Sequence, residues 1–121
     1  MLLLDEVSLV DGEAVGSYTI KGDEYFLQGH FPDNPIVPGV ILCEMMGQSA
    51  CVLIDGLSAD ATPYFAGMNN VKFKGKVVPG DTVMLRSKLI KTKGPFYFVK
   101  AEGLVGGRLC VSAELTFTIV R

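Results

Sequence analysis

The chain of 121 residues holds a single histidine, His30, and three cysteines with no Cys-x-x-Cys spacing. Metal sites that draw on several imidazoles are thereby excluded. Three thiols cannot form a paired framework, so they read as reduced cysteines of a cytosolic protein. Basic charge is nearly missing from the first half, where residues 1–60 carry Lys21 alone against ten carboxylates. The start, Met1-Leu2-Leu3-Leu4-Asp5-Glu6, lacks the basic flank of a signal peptide and turns acidic before an apolar core forms. No apolar run is long enough for a membrane span. The greasiest stretch, Val40 to Ile54, is 15 residues and includes Glu44 and Gln48. It reaches roughly 22 Å, against a hydrocarbon core of about 30 Å. Linkers, repeats and low-complexity segments are absent, which leaves one domain over residues 1–121. With 11 basic and 13 acidic side chains, a strongly basic nucleic-acid binder is excluded.

What the chain has in excess is apolar side chains: 49% of residues are hydrophobic and the mean hydropathy is +0.36. A small domain has much surface per volume, so this excess calls for burial in an oligomer or around a greasy ligand. Residues 2–10 and 14–20 are β-favouring runs joined by the tight-turn dipeptide Asp11-Gly12. Pro32, Pro35 and Pro38 recur every third residue and make a stiff loop. After Pro38-Gly39 the spacing predicts a helix from Val40 to Ile54, apolar nearly all round. Glu44, Gln48 and Cys51 share one narrow stripe of it, and Gly47 leaves room for a close backbone neighbour.

The second half predicts strands. Tyr64 to Met68 leads into the alternating Val71-Lys72-Phe73-Lys74. Turns at Pro79-Gly80-Asp81, Lys93-Gly94-Pro95 and Gly106-Gly107 separate strands over Thr82 to about Thr92, over Phe96 to Leu104 and from Leu109 onward. In the last, Leu109, Val111, Ala113, Leu115, Phe117 and Ile119 alternate with polar residues and specify one buried face. The fold class is α+β, a long antiparallel sheet curled around one buried helix. Residues 61–121 carry ten basic side chains against three acidic. That balance reads either as solvated strand faces or as a basic patch for an acidic partner, with Lys72, Lys74 and Lys76 alternating onto one face.

Groups suited to proton transfer concentrate in one string, GHFPDNPIVPGVILCEMMGQ, residues 29–48. His30 alone reads more readily as a packing or loop residue than as a base. Glu44 on an apolar helix is harder to explain without a task, because an apolar surround favours the neutral acid, a proton donor. The helix start at Gly39-Val40 offers backbone N–H groups and a positive dipole end for a carbonyl oxygen that gains charge. A base, an acid and an oxyanion site are what is needed to remove a proton α to a carbonyl and expel a β-hydroxyl. Cys43, Cys51 and Cys110 read as small core residues.

The string resembles the GHFPxxPxxPGVxxxExxxQ signature of the β-hydroxyacyl-acyl-carrier-protein dehydratases of bacterial-type fatty acid synthesis. Tyr64-Phe65-Ala66-Gly67, Val71-Lys72-Phe73 and Val78-Pro79-Gly80-Asp81 are similar to that family's second half, in the same order. The resemblance implies a hot-dog fold and a homodimer, with the family's trimer of dimers as the expected assembly. Each site takes His from one chain and Glu from the other. Carried over, His30 is the base and Glu44 of the partner chain the acid. Gly39 offers its N–H to the thioester carbonyl, with Val40 beside it, and Gln48 supports Glu44. Phe31, Tyr64 and Phe65 contact the acyl chain, the last two at the mouth of an apolar tunnel. The acidic acyl carrier protein, bearing the phosphopantetheine-linked substrate, docks near Lys72, Lys74 and Lys76. No cofactor or metal is implied, no nucleic acid, no membrane span, and the place of work is cytoplasmic. Glu at position 44, where a related isomerising branch has Asp, points to dehydration alone. Members also carry a helix and a His-Arg-Tyr-Pro-Phe-like segment upstream of the string matched by Leu2-Leu3-Leu4-Asp5, so one wall of the site is expected to lie outside this sequence. Two other readings stay open: a hot-dog acyl thioesterase, and a non-catalytic module that binds or senses acyl thioesters.

Overall fold

The computed structural model describes residues 3–22, 24, 36–54 and 62–120. Six strands, β1 (Glu6–Val10), β2 (Glu13–Thr19), β3 (Thr62–Phe73), β4 (Thr82–Lys93), β5 (Phe96–Val105) and β6 (Arg108–Val120), form one antiparallel sheet in the order β1-β2-β4-β5-β6-β3. Among the described residues one α-helix, α1 (Gly39–Ala50), stands between β2 and β3 in the chain and packs on the sheet's inner face. This is the expected hot-dog architecture. Asp11 and Gly12 both have positive φ, 51° and 83°, as a primed hairpin turn between β1 and β2 requires.

The period-two pattern holds over the middle of β6, where Val111, Ala113, Leu115 and Phe117 are buried and Glu114 between them is exposed; at its start a register shift against β5 buries Cys110 and leaves Leu109 half-buried. In β4, Val83, Leu85 and Ser87 face inward while Met84, Arg86 and Lys88 face out. Leu42, Met45, Met46 and Ala50 of α1 fill the space above these residues. The close approach of helix to sheet falls at Gly16 of β2. A Cβ there would stand 2.8 Å from Ser49 Oγ and 3.3 Å from the Glu6 carbonyl oxygen, so only glycine lets α1 settle this near.

Two expectations are adjusted. The α-helix ends at Ala50 and tightens into a 3₁₀ turn over Cys51–Leu53, closed by Ile54 N–H donating to Cys51 O at 3.2 Å. And Lys72, Lys74 and Lys76 do not alternate along one strand face. β3 stops at Phe73, because the N–H groups of Lys74 and Gly75 both donate to the Cys110 carbonyl, at 2.7 and 3.2 Å. Two consecutive donors on one acceptor turn the backbone out of the ladder. All three lysines remain exposed. Lys72 shares an outer-face hollow with Lys100, Asn70 and Glu114, whereas the Lys76 carbonyl accepts a bond from Arg108 Nη2.

The exit from β2, which leads toward His30, is pinned by Glu24. Its Oε2 accepts from Tyr18 O–H at 2.8 Å and Lys21 N–H at 2.9 Å, and its Oε1 from Gly22 N–H at 2.8 Å. Burial pushes this carboxyl up, but the donors from Lys21, Gly22 and Tyr18 together win and hold it at about 2, below the usual 4.5. A depressed carboxylate stabilises the fold above its unfolded value and loses that contribution as pH falls through its folded one. Thermal melts of Glu24→Gln should therefore show lower stability than wild type near neutrality and a shallower decline between pH 4.5 and about 2. Parallel pH curves for the two proteins would remove Glu24 from the account of acid stability.

Candidate active site

The site is built on the first two turns of α1. Pro38 precedes the helix with φ −59° and ψ 144° and offers no side-chain cap. Its carbonyl accepts from Ile41 N–H at 3.0 Å and Leu42 N–H at 3.4 Å. The N–H groups of Gly39 and Val40 have no hydrogen-bond partner among the described residues and lie at the positive end of the helix dipole. The ring of Phe73 stands against Gly39: a Cβ built there would be 2.7 Å from two ring carbons. A donor pair at a helix start can hold a developing oxyanion.

One turn on, Glu44 is exposed, not buried as its apolar neighbours led us to expect. The sheet covers the faces carrying Leu42, Met45, Met46 and Ser49 and leaves the stripe through Val40 and Glu44 open. Val40, Cys43, Glu44 and Met68 line a pocket of about 270 Å³ there. Val40 is 75% exposed, Met68 42% and Phe73 56%. Large apolar side chains left so bare around one carboxylate mark a surface made for contact.

Gln48, one turn after Glu44, donates from Nε2 to Glu44 Oε1 at 3.3 Å, and its Oε1 accepts from the Leu3 backbone N–H at 2.7 Å. Burial raises the Cys43 thiol; burial and then the Glu44 charge raise that of Cys51, whose Sγ donates to Gly47 O at 3.3 Å. Raised thiols are poor nucleophiles, so these cysteines pack. Among the described residues no group of three or more His, Cys, Asp or Glu side chains is gathered for a metal ion, and no helix is long and apolar enough to cross a membrane.

Of the residues the sequence singled out, the structure brings together Gly39, Val40, Glu44 and Gln48. His30 and Phe31 lie outside the described residues. Tyr64 and Phe65 belong to the backbone of β3, opposite Thr118 and Phe117 of β6. Sequence reasoning missed Leu3, Cys43, Met68 and Phe73. Phe73 stands in a string already quoted and Cys43 beside Glu44, but nothing local marks Leu3, 45 residues from its partner.

A family model described as a FabA-like domain matches residues 1–114. The chain is similar to the 3-hydroxyacyl-acyl-carrier-protein dehydratase FabZ of Lactococcus lactis subsp. cremoris, 41% identical over 98% of this chain and 84% of that protein. It is 40% identical to the protein of the same name from Clostridium beijerinckii, over 98% of this chain and 88% of that one. Among solved structures it resembles the dehydratase heterocomplex ApeI:P from Xenorhabdus doucetiae, with TM-score 0.77 and 19% identity over 99% and 84% of the two chains. A thioesterase superfamily member from Thermus thermophilus superposes with TM-score 0.75 at 15% identity, over 89% and 80%. At those identities the structural likeness shows the fold alone, whereas the sequence matches run almost end to end. The chain belongs to the FabA-like family and, within it, to the FabZ-like dehydratases.

Proposed function

We propose that the chain converts (3R)-hydroxyacyl groups, held as thioesters on acyl carrier protein, into trans-2-enoyl thioesters and water, as a cytoplasmic dehydratase of type II fatty acid biosynthesis. The observation that carries this reading is the pairing of a carboxyl at the rim of an apolar pocket, Glu44, with two N–H groups at the same helix's start that have no partner among the described residues. His30 takes the α-proton, and the C–H electron pair forms the new double bond. The C–O bond at the β-carbon breaks with its pair on oxygen, and Glu44 protonates that oxygen to water. Charge that gathers on the thioester oxygen meanwhile is held by Gly39 N–H, with Val40 beside it. His30 and Glu44 end charged, and passing the proton back resets the site. All of this is proton transfer between side chains and substrate, with no call on a metal or cofactor.

Glu44 acts from the partner chain in this reading. A second copy seated over Val40, Met68 and Phe73 would dry the pocket and make room for the acyl tail, with Phe31, Tyr64 and Phe65 along its path. Three such dimers form the expected assembly, which a solution size measurement checks. The carrier protein docks on the basic second half, by Lys72, Lys74 and Lys76.

The test is a spectrophotometric assay of enoyl-thioester formation from carrier-linked 3-hydroxyacyl substrate, at rising salt. Enoyl product is expected, with KM climbing as ions screen the docking charges. Release of free acid with the hydroxyacyl chain intact would make the protein a thioesterase. Tight binding without turnover would make it a sensing module. A KM indifferent to salt would discard the basic docking surface.

A further inference from the structure

Gln48 joins two parts of the molecule that no local pattern connects. Leu3 is buried, and the segment after it is tied to β2: Asp5 N–H donates to Ser17 O at 2.7 Å, and Asp5 Oδ2 accepts from Thr19 N–H at 2.8 Å. The Leu3 N–H is therefore a donor anchored to the sheet, 2.7 Å from Gln48 Oε1. A backbone N–H can only donate, so it admits one orientation of the side-chain amide. The oxygen faces Leu3, and the nitrogen must face Glu44, where it donates to Oε1 at 3.3 Å.

That orientation decides where a proton sits. A neutral carboxyl has one O–H, and an amide can meet it as donor or as acceptor. With the Gln48 N–H on Oε1, that oxygen is an acceptor and the acidic proton stands on Oε2. Once the proton has left, the same N–H makes a charge-assisted bond to the carboxylate. With the amide turned over, its oxygen would accept the proton and hold it away from the leaving group. We propose that the Leu3 backbone N–H, acting through Gln48, is a positioning group that keeps the Glu44 proton on Oε2 and aims it at the departing hydroxyl. The inference rests on the reading of Glu44 as the acid and adds to it the element that orients the acid: the lead-in to β1.

Placing the α-hydroxy analogue of leucine at position 3 exchanges the amide for an ester, which deletes this N–H and keeps the side chain. In the dehydration assay kcat should fall about tenfold with KM unchanged. Gln48→Met, which can neither accept nor donate as the amide does, should lose about as much, and the ester should cost nothing further in that background. A merely structural N–H would instead lower kcat equally in both backgrounds, and that result overturns the proposal. Full kcat in the ester protein, with a melting temperature near wild type, overturns it too. Glu44→Gln separates the two levels. If it still turns over, the acid assignment falls; if it is dead while the ester protein is fully active, only the positioning role falls.

Discussion

Glu44→Gln and His30→Ala should each abolish enoyl-thioester formation, with losses of about 10³-fold or more, the upper range for removing a general acid or base. Glutamine keeps the size and polarity of Glu44 but has no acidic proton to give. Glu44→Gln should not unfold the protein: Glu44 is exposed on α1 and its one described hydrogen bond, from Gln48, can be met by an amide oxygen. The two dead proteins also test the geometry of the dimer. If each site takes His30 from one chain and Glu44 from the other, a mixed dimer contains one site with both defects and one with neither. Random re-pairing of equal amounts makes half the dimers mixed, so about one quarter of wild-type activity returns in a two-fold assembly. Mixtures that stay dead would place both groups in one chain, and a wild-type rate in either variant alone would end the mechanism.

Leu85→Ala should be the most damaging of the simple core changes. Leu85 is fully buried on β4, opposite Gly16 of β2 and Gly103 of β5, under the helix that carries Glu44. Glycine at both cross-strand positions leaves no side chain directly opposite to fill the hole. The expected loss is about 3 kcal/mol, within the measured span for Leu→Ala in cores. For a domain of this length that lowers Tm by roughly 10 °C. Met84→Ala, one residue earlier on the same strand but facing out and 41% exposed, should stay within about 0.5 kcal/mol of wild type. Equal effects of the two would mean that the inward and outward faces of β4 are misassigned.

The parts legible in the sequence are those governed by neighbours in the chain. Alternation along β6 from Val111 to Phe117, the Asp11-Gly12 turn and the helix start after Pro38-Gly39 each depend on a few adjacent residues, and each appears where it was expected. Where a distant group intervened, the reading failed. Lys74 and Lys76 leave the face of Lys72 because one carbonyl, that of Cys110, takes two N–H groups. β3 is a single strand of 12 residues, but its register against β6 shifts twice, and Asn70 at the second shift has φ 51° and donates to Glu114. Burial of Glu44 was inferred from its apolar neighbours on α1, yet burial depends on which face the sheet covers, and it covers the other one.

The string over residues 29–48 and the strand pattern after it were enough to determine the family and the fold class, and they nominate His30 and Glu44 as the reacting groups. The chemistry needs those residue types, and their spacing is local. Tertiary structure decided what surrounds them: the open stripe of Val40, Glu44 and Met68, the ring of Phe73 on Gly39, and the Leu3 N–H that turns Gln48 toward the acid. Those are contacts between segments tens of residues apart, and a hydrogen bond or a covered face exists only once the chain has closed around its helix.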